Sequence, residues 1–305
     1  MIYQLLISIF PFVSNLFAVC SSTSLTKPPV FASMMSQQTY RTVEESAAAT
    51  REISYDEAIR VMSFNILSDD HPEHAWANRK SAVASMIRFH RADLIGLQEP
   101  SQDQLFDLTQ ILSEYDSFPG TLNPVLFRKS RFEILASGSF FLSQTPNQPG
   151  IGWDAKFQRA ASWVKLRDKK MEREVYFFNA HLDYHGSKAR FEGAKLIQEK
   201  IREIAKSNPC ILAGDFNLFP ELEGKKTYDL ITEQLKDALV SAQFPHHGPT
   251  GTWSGFKVAG QPGVRPDCIF VSPQIDVYLH GILSDTFDGQ FPSDHLPVVA
   301  DVKIN

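Results

Sequence analysis

Short apolar runs in this chain repeatedly end or begin at a carboxylate, an amide or an imidazole, and this pairing limits the fold more than any other property of the sequence. Val61-Met62-Ser63-Phe64 leads into Asn65, and Leu94-Ile95-Gly96-Leu97 leads into Gln98 and Glu99. Val175-Tyr176-Phe177-Phe178 leads into Asn179 and His181, and Cys210-Ile211-Leu212-Ala213 into Asp215 and Asn217. Asp267 opens Cys268-Ile269-Phe270-Val271, and Ser293-Asp294-His295 stands just before Val298-Val299-Ala300-Asp301-Val302. Runs this short and this apolar read as strands buried on both faces. Polar groups at the ends of such strands belong on loops, where chemistry is carried, and six of them point to one assembled site.

Between these runs lie amphipathic stretches. Ala82, Val83, Met86, Ile87 and Phe89 recur at helical spacing within 78–90, and Ser101 is placed to cap a helix carrying Leu105, Phe106, Leu108, Ile111 and Leu112. A longer helix is expected over 187–206, with Ala194, Ile197, Ile201, Ile204 and Ala205 on one face, and another near 225–236. Further strands are expected at 125–128, 132–142, 159–167, 174–182, 268–272, 276–283 and 298–304. Strands in this number with a few helices imply two sheets packed face to face, helices covering the outer sides, in a four-layer α/β sandwich.

With 43% hydrophobic residues among 305, the chain can bury a large core, and the expected catalytic domain covers 60–305. Residues 1–20 are uncharged and apolar and end in Ala18-Val19-Cys20, as a cleaved signal peptide does, although the usual positive charge is missing. Residues 21–59, rich in Ser, Thr and Ala, read as a linker. A secreted or endomembrane location follows if 1–20 is a signal, and a cytoplasmic one otherwise; no membrane span is expected in the mature chain, and a monomer is. The formal charge of −5 supplies no general basic field, so tight duplex DNA binding is not expected. Cys210 and Cys268 sit inside apolar runs and read as buried thiols, not as a bridge.

The polar ends have the character of a phosphate-ester site. Glu99 leaves the end of a buried run as a ligand for a hard divalent cation such as Mg²⁺, and Asp294 is free to face a metal. Asp215 and Asn217, two apart on extended chain, project to one side, where the first can deprotonate a water and the second can donate to phosphoryl oxygens. His181 can donate to a phosphate oxygen or to the leaving group. Asp267 can accept from one ring nitrogen of His295 and so fix its tautomer. Arg190 and Arg128 are candidate phosphate contacts and Trp253 a stacking surface, beside Trp76, Arg79, Trp153 and Phe256.

Asn65, Gln98-Glu99, Asn179-x-His181-Leu182, Gly214-Asp215-Phe216-Asn217, Asp267-x-Ile269-Phe270-Val271-Ser272 and Ser293-Asp294-His295-x-Pro297 together resemble, in order, the motifs of the endonuclease/exonuclease/phosphatase superfamily. Phe127 to Glu133, His181-Leu182-Asp183, Trp153-Asp154 to Trp163-Val164 and Gly248 to Thr252 look most like its small metal-dependent hydrolases related to the carbon-catabolite-repression deadenylases. The resemblance implies an αββα sandwich of two mixed sheets that hydrolyses phosphate esters with Mg²⁺ or Mn²⁺. It implies Glu99 as principal metal ligand, Asn65 and Asp294 near the metal, Asp215 and Asn217 positioning the water, and Asp267, His295 and His181 stabilising the phosphoryl group. Two departures stand out: Tyr115–Asn123 is shorter than in many relatives, and Cys268 stands where an aromatic is common. The expected activity is that of a phosphodiesterase, 3′–5′ exonuclease-like, on single-stranded RNA or oligonucleotide ends. The alternatives are a phosphomonoesterase, a lipid phosphodiesterase of the inositol phosphate or sphingomyelin type, or a catalytically silent binding module.

Overall fold

A computed structural model describes residues 57–68, 72–218, 222–259 and 263–305. The expected signal at 1–20 and residues 21–56 of the linker expected at 21–59 lie outside these residues, and the first strand, β1 (Ile59–Asn65), already begins within the range read as linker. In chain order follow α1 (Trp76–Phe89), β2 (Leu94–Gln98), α2 (Gln102–Ile111), β3 (Tyr115–Phe118), β4 (Val125–Arg128), β5 (Phe132–Phe141) and β6 (Ala160–Asp168). Then come β7 (Arg173–His181), α3 (Ser187–Ile204), β8 (Cys210–Asp215), α4 (Leu222–Thr232), β9 (Lys236–Asp237), α5 (Ala238–Ser241), β10 (Asp267–Val271), β11 (Ile275–Ile282) and β12 (Val298–Ile304). The strands form two six-stranded mixed sheets, ordered β11-β12-β1-β2-β4-β3 and β5-β6-β7-β8-β10-β9.

Each central strand is buried on both faces, which is why its sequence is a continuous apolar run without alternation. Val61, Leu94, Phe177, Ile211, Ile269 and Val298 fill the layer between the sheets. Met62, Phe64, Ile95 and Leu97 turn outward onto Val83, Ile87 and Leu108 of α1 and α2. On the other side, Phe178, Leu212 and Phe270 turn outward onto Ile197 and Ile201 of α3 and Ile231 of α4. This is the four-layer sandwich expected from the sequence. Ser101 caps α2 as expected, accepting from Gln104 N at 3.2 Å while Gln104 Oε1 accepts from Ser101 N at 2.8 Å.

Register brings the polar ends together. β1 and β2 run parallel and finish side by side at Asn65 and Gln98, and β12 runs antiparallel to β1, so it starts at the same rim, with Val298 opposite Ser63. In the second sheet β7 and β8 run parallel and finish at His181 and Asp215, while antiparallel β10 starts with Asp267 opposite Asp215. Under this rim the sheets are tied by a buried amide pair. Gln98 Nε2 donates to Asn179 Oδ1 at 2.7 Å, and Asn179 Nδ2 donates to the carbonyls of Leu97 and Pro124 at 2.8 and 2.9 Å. The Asn179 amide crosses so close to β2 that a Cβ on Gly96 would lie 2.7 Å from it, so glycine is required there.

The opposite rim is closed by ion pairs. Arg131 bridges Asp93 at 2.8 Å and Asp168 at 2.9 Å, and Arg60 holds Asp301 at 2.6 Å. Arg128 also belongs here: β4 runs antiparallel to β2, so Arg128 lies at the starting end of β2, with Nε 3.3 Å from Asp93 Oδ1. Its proposed contact with substrate phosphate is therefore corrected. β3, β9 and α5 were not anticipated; they are short, and Tyr-Asp-Ser-Phe carries no run of strand formers.

One buried histidine makes stability sensitive to acid. His246 Nε2 lies 2.8 Å from the Pro249 carbonyl, which only accepts, so that nitrogen carries the ring proton. Its Nδ1 then accepts from His280 Nδ1 at 2.9 Å, and His280 Nε2 is left buried without a hydrogen-bond partner among the described residues. Burial, and next the Arg265 charge, lower the His280 pKa to about 3, only partly offset by Asp237. The unfolded chain therefore takes up the proton first, and native stability falls as pH drops below the ordinary histidine range. We expect the urea midpoint to fall between about pH 7 and about pH 5, with a shallower slope in His280→Asn. Equal slopes in the two proteins would remove His280 as a source of the acid sensitivity.

Candidate active site

Six segments converge at the rim. Asn65 is buried, and its side-chain nitrogen donates to Glu99 Oε1 at 3.1 Å and to Asp215 Oδ2 at 3.0 Å, while its oxygen accepts from Leu67 N at 3.1 Å. Asn65, expected near a metal, sits against both carboxylates: its –NH₂ braces Glu99 and Asp215, and its carbonyl oxygen keeps a second lone pair beside the Leu67 hydrogen bond. Glu99 follows β2 in the left-handed conformation at φ 63°, and its side chain remains 31% exposed, the most open group of the cluster. A short apolar strand followed at once by a residue bent back at positive φ carries this carboxylate over the sheet edge.

Asp215, at the end of β8, is nearly sealed. Burial first, and then the charges of Asp267 and Glu99, push its pKa up to about 7 against the opposing effects of His295 and Asn65. Asn217, at φ 48°, donates its backbone N–H to Asp215 Oδ1 at 3.0 Å, and its amide nitrogen donates to the Leu182 carbonyl at 3.0 Å beside His181. Asp267 and His295 pair as the sequence suggests, with Oδ2 2.8 Å from His295 Nδ1. Thr252 Oγ1 donates to the same oxygen at 2.5 Å. Burial opposes protonation of His295, but the Asp267 charge and hydrogen bond outweigh it and raise the pKa to about 10. His295 Nε2 then faces the site as a donor, 3.9 Å from Asp215 Oδ2.

His181 is set up differently. Arg159 Nη1 lies 3.0 Å from its Nδ1 and Asn217 Nδ2 3.3 Å from its Nε2; both groups donate and a neutral ring has one acceptor nitrogen, so the shorter, charge-assisted guanidinium contact takes Nδ1 and leaves the ring proton on Nε2. That nitrogen is 3.4 Å from Asp215 Oδ2 and 4.0 Å from Glu99 Oε1. Burial, the Arg159 charge and the His295 charge together hold His181 well below the usual histidine range. The rim thus contains a neutral imidazole donor and a charged imidazolium donor on either side of a buried carboxylate. Arg159 was read only as the first residue of the strand expected at 159–167, whereas β6 begins at Ala160; nothing in that reading marked its side chain, and only the tertiary contact reveals it.

Glu99, His181 and Asp215 present ligand atoms within 4.8 Å of one another, as do Asp215, Asp267 and His295. The charges of Asp267 and Glu99 raise the pKa of buried Asp215, and one oxygen of Asp267 lacks a partner among the described residues, so the three carboxylates form an acceptor-rich cluster that a hard cation would relieve. Asp294 is half-buried and adjacent, its Oδ1 3.3 Å from Ser293 Oγ, but it belongs to neither group of converging atoms. The remaining expected contacts divide. Trp253 is 52% exposed, and its backbone bridges that of His295, so its ring stands at the rim. Arg190 is buried and donates to the carbonyls of Asp183 and Tyr184 at 3.1 and 2.8 Å, so its assignment to substrate phosphate is corrected: it organises a loop. Arg79, also buried, gathers the carbonyls of Ile66, Leu67, His74 and Pro292, and Trp76 donates to Asp107.

Residues 62–295 match the model of the endonuclease/exonuclease/phosphatase family, and the chain belongs to that family. Among solved structures it is similar to a family protein from Bacteroides thetaiotaomicron, with 32% identity, TM-score 0.75 and coverage of 81% of this chain and 98% of that one. It is equally similar to the mannosyl-6-phosphatase Bt3783 of the same organism, at 32% identity and TM-score 0.74 over 80% and 99% of the two chains. The human Nocturnin catalytic domain, bound to sulfate, shares the fold at 24% identity and TM-score 0.64, over 82% and 94%. The chain therefore has the fold and family of phosphoester hydrolases, with a candidate metal site of acidic and histidine groups. Among the described residues no helix is long and apolar enough to cross a membrane.

The Arg159 contact gives a direct test. In Arg159→Met, ¹⁵N shifts of the His181 ring should change from a single Nε2–H tautomer to a mixture, and turnover should fall about 10–100-fold, as for other groups that orient a working histidine. Arg159→Lys, which keeps a donor, should restore part of both. An unchanged tautomer in the methionine variant would show that Arg159 does not set it.

Proposed function

We propose that this protein is a divalent-metal-dependent phosphoric ester hydrolase that acts on a terminal phosphate monoester. The observation carrying the hydrolase reading is the convergence of Glu99, Asp215 and His181 with the Asp267–His295 pair at one rim. Similarity to a mannosyl-6-phosphatase at 32% identity over nearly its whole length supports the monoester. Diester cleavage at RNA or oligonucleotide ends is the second reading, supported by the resemblance of Phe127 to Glu133 and Gly248 to Thr252 to the hydrolases related to the carbon-catabolite-repression deadenylases.

Glu99 is the residue that would hold the cation, and its hard oxygen donors and partial exposure suit Mg²⁺ or Mn²⁺ with retained waters. When bound, the cation supplies Lewis-acid neutralisation of phosphoryl charge. The protein's own groups do the rest. Asp215, whose charged form is disfavoured by burial, is a stronger base than an exposed carboxylate and accepts a proton from the attacking water. Asn65 holds that carboxylate in place through its 3.0 Å hydrogen bond. Neutral His181 through Nε2–H, and protonated His295 through its own Nε2, donate to oxygens of the phosphoryl group as charge builds on them. Asp267 keeps His295 protonated and oriented.

Purified protein with Mg²⁺ should be assayed on a hexose 6-phosphate, single-stranded poly(A), an inositol phosphate and sphingomyelin. We expect phosphate release from the first, abolished by EDTA and restored by Mg²⁺ or Mn²⁺. Asp215→Ala should lower turnover by about 10³-fold while the circular dichroism spectrum is kept. Cleavage of poly(A) alone would favour the diesterase reading, and turnover of none of the four would remove the hydrolase assignment.

A further inference from the structure

Beside His181 the rim carries a built surface with no part in the chemistry derived above. Phe157 and Tyr184 are 46% and 43% exposed, their ring centroids 5.9 Å apart and their planes inclined at 35°. Exposed aromatic rings are usually scattered and loosely held. These two are not. Lys156 Nζ hydrogen-bonds the Tyr184 hydroxyl at 3.1 Å and lies 5.5 Å and 5.7 Å over the Phe157 and Tyr184 rings.

The backbone beneath is clamped by two carboxylates. Asp183, buried, accepts the N–H groups of Lys156 and Phe157 at 3.2 Å each, of His185 at 3.0 Å and of Gly186 at 2.8 Å, and lies 3.4 Å from Arg159 Nε. Asp154 receives Ala189 N at 2.6 Å at the start of α3. The two segments approach so closely that a Cβ on Gly186 would meet the Asp154 backbone oxygen at 2.6 Å. Arg159 completes the link: its guanidinium lies 5.7 Å over the Phe157 ring and contacts His181. A phosphoryl group engaged by His181 Nε2 therefore has this surface across the imidazole ring and one guanidinium beyond it.

On these grounds we propose that Phe157, Tyr184 and Lys156 form the subsite for the alcohol half of the substrate, and that this alcohol is a pyranose. The inference rests on the monoester reading and deepens it. Two inclined rings side by side make an apolar shelf, suited to the C–H face of a sugar, and not the parallel slot that would grip a planar base on both sides. The Lys156 ammonium, which lies over both rings, and the Tyr184 hydroxyl bonded to it offer donors and an acceptor to the hydroxyls that surround that face. Neither side chain is needed for attack at phosphorus, so the subsite contributes preference among phosphate esters.

The test is a ratio taken within each preparation: kcat/KM for a hexopyranose 6-phosphate divided by kcat/KM for ethyl phosphate, which has no ring. We expect this ratio to fall about tenfold in Tyr184→Ala and in Phe157→Ala, mainly through KM for the sugar ester, the size expected for losing one aromatic contact face. Lys156→Met and Tyr184→Phe, which keep the apolar surface, should each lower it by a smaller amount. A ratio unchanged within about twofold in both alanine variants overturns the subsite. Wild-type protein that hydrolyses ethyl phosphate or nucleotide esters but not pyranose esters overturns the pyranose assignment while leaving the hydrolase reading intact; failure of the wild type on every ester removes both.

Discussion

The whole site depends on two apolar sheet faces locked in one register. Val61, Leu94, Phe177, Ile211 and Ile269 fill the inner layer, and each such side chain contributes about 1.5–3 kcal/mol by leaving water. Apolar contact is non-directional, however, and would tolerate sliding. The buried Gln98–Asn179 link is directional: a shift would leave both amides unpaired in the core, costing about 1–3 kcal/mol for each unsatisfied group. That link lies directly beneath the rim, one residue from Glu99 and two from His181, so the interaction fixing the sheets also fixes the separation of their polar ends.

Electrostatics at the rim follow from this placement. Asp215 is surrounded by other acids and has little water, which disfavours its charge; His295 has the same burial but a carboxylate on Nδ1, which favours its charge. His181 faces a guanidinium instead, and stays neutral. Two imidazoles a few ångströms from the same carboxylate thus take opposite charge states because their outer nitrogens meet partners of opposite sign. Both present Nε2–H inward, which is the common requirement for binding an anionic phosphoryl group.

Much of this was legible in the chain. Unbroken apolar runs can be satisfied only by strands covered on both faces, so Val61–Phe64 and Cys210–Ala213 imply a sandwich with outer helices. Asp215, Asp267 and His295 could be named because each abuts such a run, and the Asp267–His295 pairing needs only neighbouring strand ends. Arginine was harder to place. Arg128 and Arg190 looked available for phosphate, yet one closes the far rim with Asp93 and the other satisfies loop carbonyls. A long cationic side chain reaches any of several partners, and local sequence does not say which. Lys156, Phe157 and Tyr184 lie in irregular segments with no periodic pattern to mark them, and Arg159 stood only at the edge of an expected strand.

Taken alone, then, the sequence determined the layers, the buried strands and the kinds of group at their ends, since burial pattern and residue chemistry are local properties. The tertiary structure decided which atoms meet: that Asn65 turns an –NH₂ to the carboxylates, that Arg159 sets the proton on His181, and that two aromatic rings are clamped beside it. Those outcomes depend on register between sheets and on competition among donors for the same acceptors, and such competition is settled only when segments distant in the chain are brought within hydrogen-bonding range.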